Sequence, residues 1–436
     1  MFSTVVVVVA VFADARAATL YMGVANLLTY TIDLTGDNMK ANVLYDIGDI
    51  RFTEVPDPVP RRGEVIVRVS CAGICGSDIP RIYQTGAHVM PLIPGHEFSG
   101  VVEEIGNGVD DKWLGKRVGV FPLIPCGKCG PCRQKRYELC RHYNYLGSRC
   151  DGGFAELVRV PAANLIEIPE TVTMEAAAML EPMSVAMHAI RRAVPAFGTD
   201  GFLPDPSLRI VVIGLGSIGL LLTSLLCGAG YQQILTVGNK AFQREAAYRI
   251  GIPKENMFVS VPDNHKRHAF GLSGKDKEQK NATRENLIGN TGSVNDDCHV
   301  NCEDDSLQNW ISDRTYGCGA DIVFECVGRN ETAVQAIDAG APLGSIVFVG
   351  NPYADMQFPR DVYWKILRNQ LTVTGTWNST FTGDSQDDWH CVRRLLSEGN
   401  VKPEKLITQR FPMEQLERGL KIMRDKAVGY VKVMME

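Results

Sequence analysis

Four cysteines fall within fifteen residues in the run Cys126-Gly-Lys-Cys129-Gly-Pro-Cys132-Arg-Gln-Lys-Arg-Tyr-Glu-Leu-Cys140. Glycine and proline between them favour tight turns that let one lobe wrap an ion. Zn²⁺ prefers four tetrahedral donors and takes thiolates readily, so the spacing predicts a structural zinc site with every position filled by protein. A second set is more dispersed: Cys75-Gly-Ser77-Asp78, then Gly95-His96-Glu97, and much later Glu181-Pro182. A thiolate, an imidazole and one or two carboxylates would hold zinc with a position left open. Such a position allows the ion to polarise a carbonyl or lower the pKa of an alcohol. A histidine beside a glutamate is a weak signal alone; the spacing to Cys75 and the neighbouring cysteine lobe give it weight.

A third motif, Gly214-Leu-Gly216-Ser217-Ile218-Gly219, follows the apolar run Arg209-Ile-Val-Val-Ile and opens a helix-like stretch. In a strand–turn–helix setting this pattern fits a dinucleotide fold. Gly214 permits the turn, Gly216 lets a pyrophosphate approach, and Gly219 lets helix pack on strand. The phosphate then sits at the helix N-terminus. The next strand ends at Gly238-Asn239-Lys240, where an acidic residue would bind the adenosine ribose. Its absence removes repulsion against a 2′-phosphate, and Lys240 and Arg244 could attract one, so NAD or NADP is expected.

The elements that must position these residues follow from patterning. The 436 residues carry 45 Lys+Arg against 50 Asp+Glu, a net charge of −5, which argues against a nucleic-acid binder. Thirteen cysteines, an odd count in a long chain, fit metal-binding thiols in a reducing compartment better than a disulfide framework. Beyond residue 20 no apolar run approaches the ~18 residues of a membrane span. Residues 1–38 read as an extension or mis-assigned start: Val5 to Val9 form an apolar block, but no Lys or Arg precedes Arg16. From Met39 to about Glu170 the texture is β, with alternation in Glu64-Val-Ile-Val-Arg-Val. From about Met183 to Thr376 strands and helices alternate as in a parallel sheet. The tail ends in a strand-like Tyr430-Val-Lys-Val and is expected to return to the first domain. Residues 263–305, rich in Lys, Asn, Gly and Asp, read as a disordered surface insertion. Cys298-His-Val-Asn-Cys302 within it has half the donors of a metal site and no second pair beside it.

The order of these parts resembles the zinc-dependent medium-chain dehydrogenases, and among them the polyol dehydrogenases. The resemblance rests on Cys75-Gly-Ser-Asp-Ile-Pro-Arg-Ile-Tyr, Gly86-Ala-His, Pro94-Gly-His-Glu-Phe-Ser-Gly, Leu146-Gly-Ser-Arg-Cys-Asp-Gly-Gly-Phe-Ala-Glu and Lys365-Ile-Leu-Arg-Asn-Gln-Leu-Thr-Val-Thr-Gly-Thr-Trp. It implies a β-rich GroES-like catalytic domain (39–182 and 377–436) and a Rossmann domain (183–376), with the active site between them. It implies Cys75, His96 and Glu97 as ligands of a catalytic zinc and Glu181 as a fourth or exchangeable one. Cys126, Cys129, Cys132 and Cys140 would hold a structural zinc, and Ser77 would relay a proton. Cofactor contacts would come from Gly214, Gly216, Ser217, Ile218 and Gly219, from Gly238, Asn239 and Lys240, and from Cys326, Val327 and Gly328. Arg81, Arg149 and Trp377 fall on the expected substrate side. Many relatives carry a histidine five residues past the ligand cysteine; here Pro80 stands there. The implied activity is hydride transfer from a sugar alcohol, phosphorylated at one end, to NAD or NADP, in a cytoplasmic homodimer or homotetramer without membrane contact. All the catalytic ligand types are present, which weighs against an inactive nucleotide-binding relative.

Overall fold

The computed structural model describes residues 37–260 and 306–436. The extension read at 1–38 lies almost wholly outside the described residues. The insertion read at 263–305 lies wholly outside them, and Cys298 and Cys302 with it.

The β-rich lobe is organised around the strand Glu64–Ile74; the alternation expected there gives way to two continuously buried blocks, Val65–Val67 and Cys71–Ile74, because neighbours cover both faces of this central strand. The sheet runs in the order Ile407–Phe411, Lys432–Met435, Glu64–Ile74, Glu97–Ile105, Arg117–Val120, Leu165–Glu167, and Leu157–Pro161 also pairs with Glu64–Ile74. Antiparallel register sets Gly73 opposite Glu97. Cys75 therefore lies just past the end of one strand and His96 just before the start of its neighbour. The closing strand pairs Val433 with Ile74 and Met434 with Gly73, so the tail returns to this lobe at the same end of the sheet.

The second lobe is a parallel sheet of six strands: Met257–Val259, Ile234–Gly238, Ile210–Ile213, Ala320–Glu325, Gly340–Phe348, Thr372–Gly375. The chain starts at Ile210–Ile213, builds outward on one side, then crosses to the other. That reversal opens a crevice at the C-terminal end of Ile210–Ile213, where doubly wound sheets bind ligands. The strand expected at Ser345 begins earlier, at Gly340, because Gly340 already pairs with Ala320.

The helix Leu180–Ala193 joins the lobes, packing on Ser217–Gly228 and on Asp388–Ser397. Its apolar face belongs to a core that includes Phe121 and Ile166 of the β-rich lobe and Leu221 and Leu225 of the Rossmann lobe. Asp388, almost fully buried, fastens this helix. It accepts from His188 Nδ1 (2.8 Å), Arg191 Nη1 (2.9 Å) and the Thr380 amide and hydroxyl (2.7 Å each). Among the described residues no helix is long and apolar enough to cross a membrane.

Candidate active site

Cys75, His96 and Glu97 each offer a donor atom, and the three atoms lie within 4.8 Å of one another. His96 and Glu97 are buried and Cys75 is partly so. Soft sulfur, borderline nitrogen and hard oxygen are the donor types zinc accepts. Burial alone would push the Cys75 thiol up, but the His96 charge and hydrogen bond bring it down to about 6, so the thiolate is favoured. Ser77 donates from its amide (3.5 Å) and its Oγ (3.3 Å) to Cys75 Sγ.

Three neighbours hold this trio: Asp78, which the sequence reading named within the Cys75 turn, and Tyr145 and Lys432, which it missed. Asp78, fully buried, accepts from the Cys75 amide through Oδ2 (3.0 Å) and from Arg81 through Oδ1 (2.5 Å). His96 Nδ1 stands 3.4 Å from the same Oδ1 without an aligned hydrogen bond. Burial would raise the Asp78 carboxyl, yet His96, Arg81 and the Cys75 amide hold it below the usual carboxylate range. Lys432, buried in the closing strand, ion-pairs with Glu97 and donates to the Ile74 carbonyl (3.1 Å). Burial pushes its ammonium down to about 8. Tyr145 donates to Glu181 Oε1 (3.2 Å) and meets the His96 ring edge-on at 5.8 Å. Glu181, in the first turn of Leu180–Ala193, is buried but stands outside the trio, and burial raises its carboxyl to about 7. It is thus close enough to feel Cys75 and His96, and one step removed from the cluster.

The four-cysteine lobe is separate. Its sulfur atoms also lie within 4.8 Å of one another, with Cys129–Cys132 at 3.4 Å, Cys129–Cys140 at 3.8 Å and Cys126–Cys132 at 3.9 Å. A tetrahedron with Zn–S bonds of ~2.3 Å has S–S edges of ~3.8 Å. Backbone amides aimed at Cys129 bring its thiol down to about 6. The lobe fits a closed zinc site with no position left for substrate.

At the Rossmann crevice the three glycines divide their work. Gly214 has φ 99°, and a Cβ there would lie 2.5 Å from Val327. A Cβ on Gly219 would meet the Gly214 carbonyl at 1.9 Å. A Cβ on Gly216 would meet nothing within 4 Å, so the loop is open at that point, beside the N-terminus of Ser217–Gly228. Gly216 caps that helix without a side-chain hydrogen bond. Cys326, Val327 and Gly328 form the turn packed against Gly214, with the Cys326 carbonyl 3.3 Å from the position of that Cβ. An open backbone cradle with free helix-end amides fits a pyrophosphate.

The residues expected on the substrate side are placed unequally. Arg81 is committed to Asp78 and mostly buried. Arg149 stacks over the Tyr143 ring at 4.6 Å, and its buried Nε has no hydrogen-bond partner. Tyr143 meets Tyr145 edge-on at 6.1 Å, so an aromatic ladder leads from His96 towards Arg149. Trp377 is exposed.

Similarity to known proteins agrees with this arrangement. The alcohol dehydrogenase GroES-like domain family matches residues 61–170 and the zinc-binding dehydrogenase family residues 293–398. Galactitol 1-phosphate 5-dehydrogenase of Escherichia coli (strain K12) is 28% identical over 395 residues, covering 90% of this chain and 99% of its own. L-threonine 3-dehydrogenase of Bacillus subtilis (strain 168) is 28% identical over 386 residues, covering 87% and 93%. A Sinorhizobium meliloti 1021 crystal structure bound to NADP superposes with a TM-score of 0.70 at 25% identity, covering 92% and 99%. With a GroES-like lobe, a Rossmann sheet and two zinc-type donor clusters in one chain, the protein is a zinc-dependent oxidoreductase that acts on alcohols with NAD(P), similar in both lobes to the medium-chain dehydrogenases.

Proposed function

We propose that this dehydrogenase oxidises a sugar alcohol phosphate reversibly, galactitol 1-phosphate to tagatose 6-phosphate. In this reading Cys75, His96 and Glu97 hold the catalytic zinc, Glu181 is a fourth or exchangeable ligand, and the four-cysteine lobe holds the structural zinc. When bound, zinc supplies a Lewis acid for the hydroxyl, and the nicotinamide dinucleotide supplies the hydride acceptor. The chain's own residues do the rest. Ser77, a partly exposed residue whose Oγ lies beside Cys75 Sγ, relays the hydroxyl proton to water. Pro80 offers no group to extend that relay. The substrate loses one proton through Ser77 and one hydride from its carbinol carbon, leaving a ketone. Tyr145 orients Glu181, and the Gly214–Gly219 loop would hold the pyrophosphate of the dinucleotide.

The observation that carries the phosphate is Arg149, whose Nε is buried and unpartnered while its guanidinium is held flat on Tyr143. A guanidinium so held is pre-organised for bidentate donation to phosphate oxygens. A second reading, an unphosphorylated polyol or diol such as sorbitol, xylitol or butanediol, is favoured by Arg81, whose charge is already spent on Asp78. The deciding measurement is kcat/KM for galactitol 1-phosphate against galactitol, in wild type and in Arg149→Ala. A charge-assisted contact of ~1.5–3 kcal/mol predicts a preference of roughly 10- to 100-fold that the variant loses. Equal wild-type values would favour the plain polyol dehydrogenase. The edge strand Thr372–Gly375, with the exposed apolar residues Tyr363, Trp364 and Leu367 nearby in sequence, supports a homodimer. A single-chain mass by light scattering would refute that.

A further inference from the structure

We propose that the four-cysteine lobe has a second role: its exposed cations form an electrostatic funnel that draws an anionic substrate, a phosphate ester, to the mouth of the active site. The inference rests on the reading that the substrate carries a phosphate, and it adds which residues outside the site select for that charge.

The lobe is rooted in the wall of the site. Its two ends leave from one antiparallel pair, Leu123–Ile124 with Asn144–Tyr145, in which Leu123 stands opposite Tyr145. Tyr145 donates to Glu181 Oε1 (3.2 Å) and meets the His96 ring at 5.8 Å. Tyr143 follows at 6.1 Å from Tyr145, and the Arg149 guanidinium lies 4.6 Å from the Tyr143 ring.

Between Cys126 and Cys150 the chain carries six cations, Lys128, Arg133, Lys135, Arg136, Arg141 and Arg149, against one carboxylate, Glu138. Glu138 is buried and paired with Arg136 at 2.6 Å. The segment is therefore net +5 in a chain whose total is −5. The fold gathers these charges. The four sulfurs lie within 4.8 Å of one another, the Lys128 amide points at Cys126 Sγ, and the Arg141 amide points at Cys129 Sγ. The Lys135 amide donates to the Cys132 carbonyl at 3.0 Å, and Arg133 Nη1 reaches the Lys128 carbonyl at 3.0 Å. Lys128, Arg133, Lys135 and Arg141 are exposed and form no ion pair among the described residues. Asp151, the next carboxylate along the chain, accepts from the Ile93 amide at 3.0 Å.

Charge balance at the lobe's own metal accounts for only part of this. Four thiolates around Zn²⁺ leave −2, which two of the cations offset, so the segment stays net +3. Like charges held together without counter-ions repel, and an approaching anion relieves that cost. A patch of one sign beside a cleft focuses its field there and raises the local concentration and arrival rate of the opposite charge by about 10- to 1000-fold. A phosphate monoester, with about −1.5 to −2 charges at neutral pH, is drawn in. A neutral polyol is not. Arg149, at the inner end of the cationic segment, then takes the phosphate over from the field.

The test is kcat/KM for galactitol 1-phosphate and for galactitol, in wild type and in Lys128→Glu/Lys135→Glu, at ~10 and ~150 mM ionic strength, where the Debye length is ~30 and ~8 Å. Neither lysine offers a ligand to zinc. At a separation of ~15 Å the two reversals should lower kcat/KM for the phosphate ester about tenfold at ~10 mM and about twofold at ~150 mM. The kcat values, and kcat/KM for galactitol, should change by less than about twofold. Zinc content and Tm control for folding. If the double variant loses zinc, Lys128→Gln/Lys135→Gln replaces it, with a loss of about threefold at ~10 mM. A wild-type kcat/KM for the phosphate ester that ignores salt, or one unchanged in the folded variant at ~10 mM, would overturn the funnel and leave phosphate recognition by Arg149 standing. Equal wild-type values for the two substrates at both ionic strengths would instead remove the phosphate reading, and this proposal with it.

Discussion

Asp78→Asn should damage the zinc site without touching a ligand. Both carboxylate oxygens of Asp78 accept, Oδ2 from the Cys75 amide and Oδ1 from Arg81, with His96 Nδ1 alongside. Asparagine has one acceptor and one donor in the same shape. If its oxygen stays on Arg81, its NH₂ faces the Cys75 N–H, donor against donor, and displaces the backbone of the ligand cysteine. If it flips, the NH₂ faces the guanidinium and the imidazole. Either way one buried donor is unsatisfied, at about 1–3 kcal/mol. Loss of a group that orients metal ligands elsewhere weakens metal affinity by ~10–100-fold. The assay is a chelator competition that follows the more labile of two zinc ions, with kcat measured on the reloaded protein and urea unfolding as the control for stability. Arg81→Ala should weaken zinc retention in the same direction, because it strips Asp78 of its charge partner. Zinc affinity within about twofold of wild type in Asp78→Asn, at unchanged kcat, would refute the argument.

The two metal sites should separate by mutation. Cys129→Ser should lose one zinc per chain and lower stability while the folded remainder keeps turnover; a folded variant retaining both ions would sink the closed-site assignment. Cys75→Ser or His96→Ala should lose the other zinc and abolish turnover with dinucleotide affinity unchanged, and near-normal turnover would remove that ion from the mechanism. Asp388 supplies a pH test. Burial pushes its carboxyl up, but hydrogen bonding and charge from His188, the Thr380 amide and Arg191 outweigh that and hold it low. Its stabilisation is complete above the unfolded-chain value of about 3.9 and is lost as pH falls through the lower folded value. Asp388→Asn should cost about 3–5 kcal/mol at neutral pH and flatten the acid limb of a urea-stability profile; an unchanged acid limb would exclude Asp388 as its source.

What was legible in the sequence is what is local. The cysteine run, the Cys75-Gly-Ser-Asp turn and the glycine loop each lie within one short segment, so spacing alone limits what their donors can do. The parallel sheet was legible for a related reason: strands buried on both faces read as continuous apolar runs, and Arg209-Ile-Val-Val-Ile and Asp321-Ile-Val-Phe-Glu do so. Arg81 was partly legible. It stands three residues past Asp78, a spacing that puts the two side chains on one helical face and points to an ion pair rather than a substrate contact.

Lys432 shows where such reading stops. Its partner Glu97 is 335 residues away, and only the register Gly73–Glu97 together with Ile74–Val433 brings them to the same end of one sheet. Nothing in the local pattern encodes that register. The sequence did carry half of the message: Val431-Lys432-Val433-Met434-Met435 places a cation in a strand whose other residues are all buried. A buried ammonium must have a counter-charge or lose its proton. The strand's pattern therefore demanded an anion, and the only question left was which one. The fold answers with a carboxylate of the candidate zinc trio, so the last strand of the chain is tied to the chemistry of its first quarter. A truncation that removed this strand would leave Glu97 buried without its cation as well as opening the sheet.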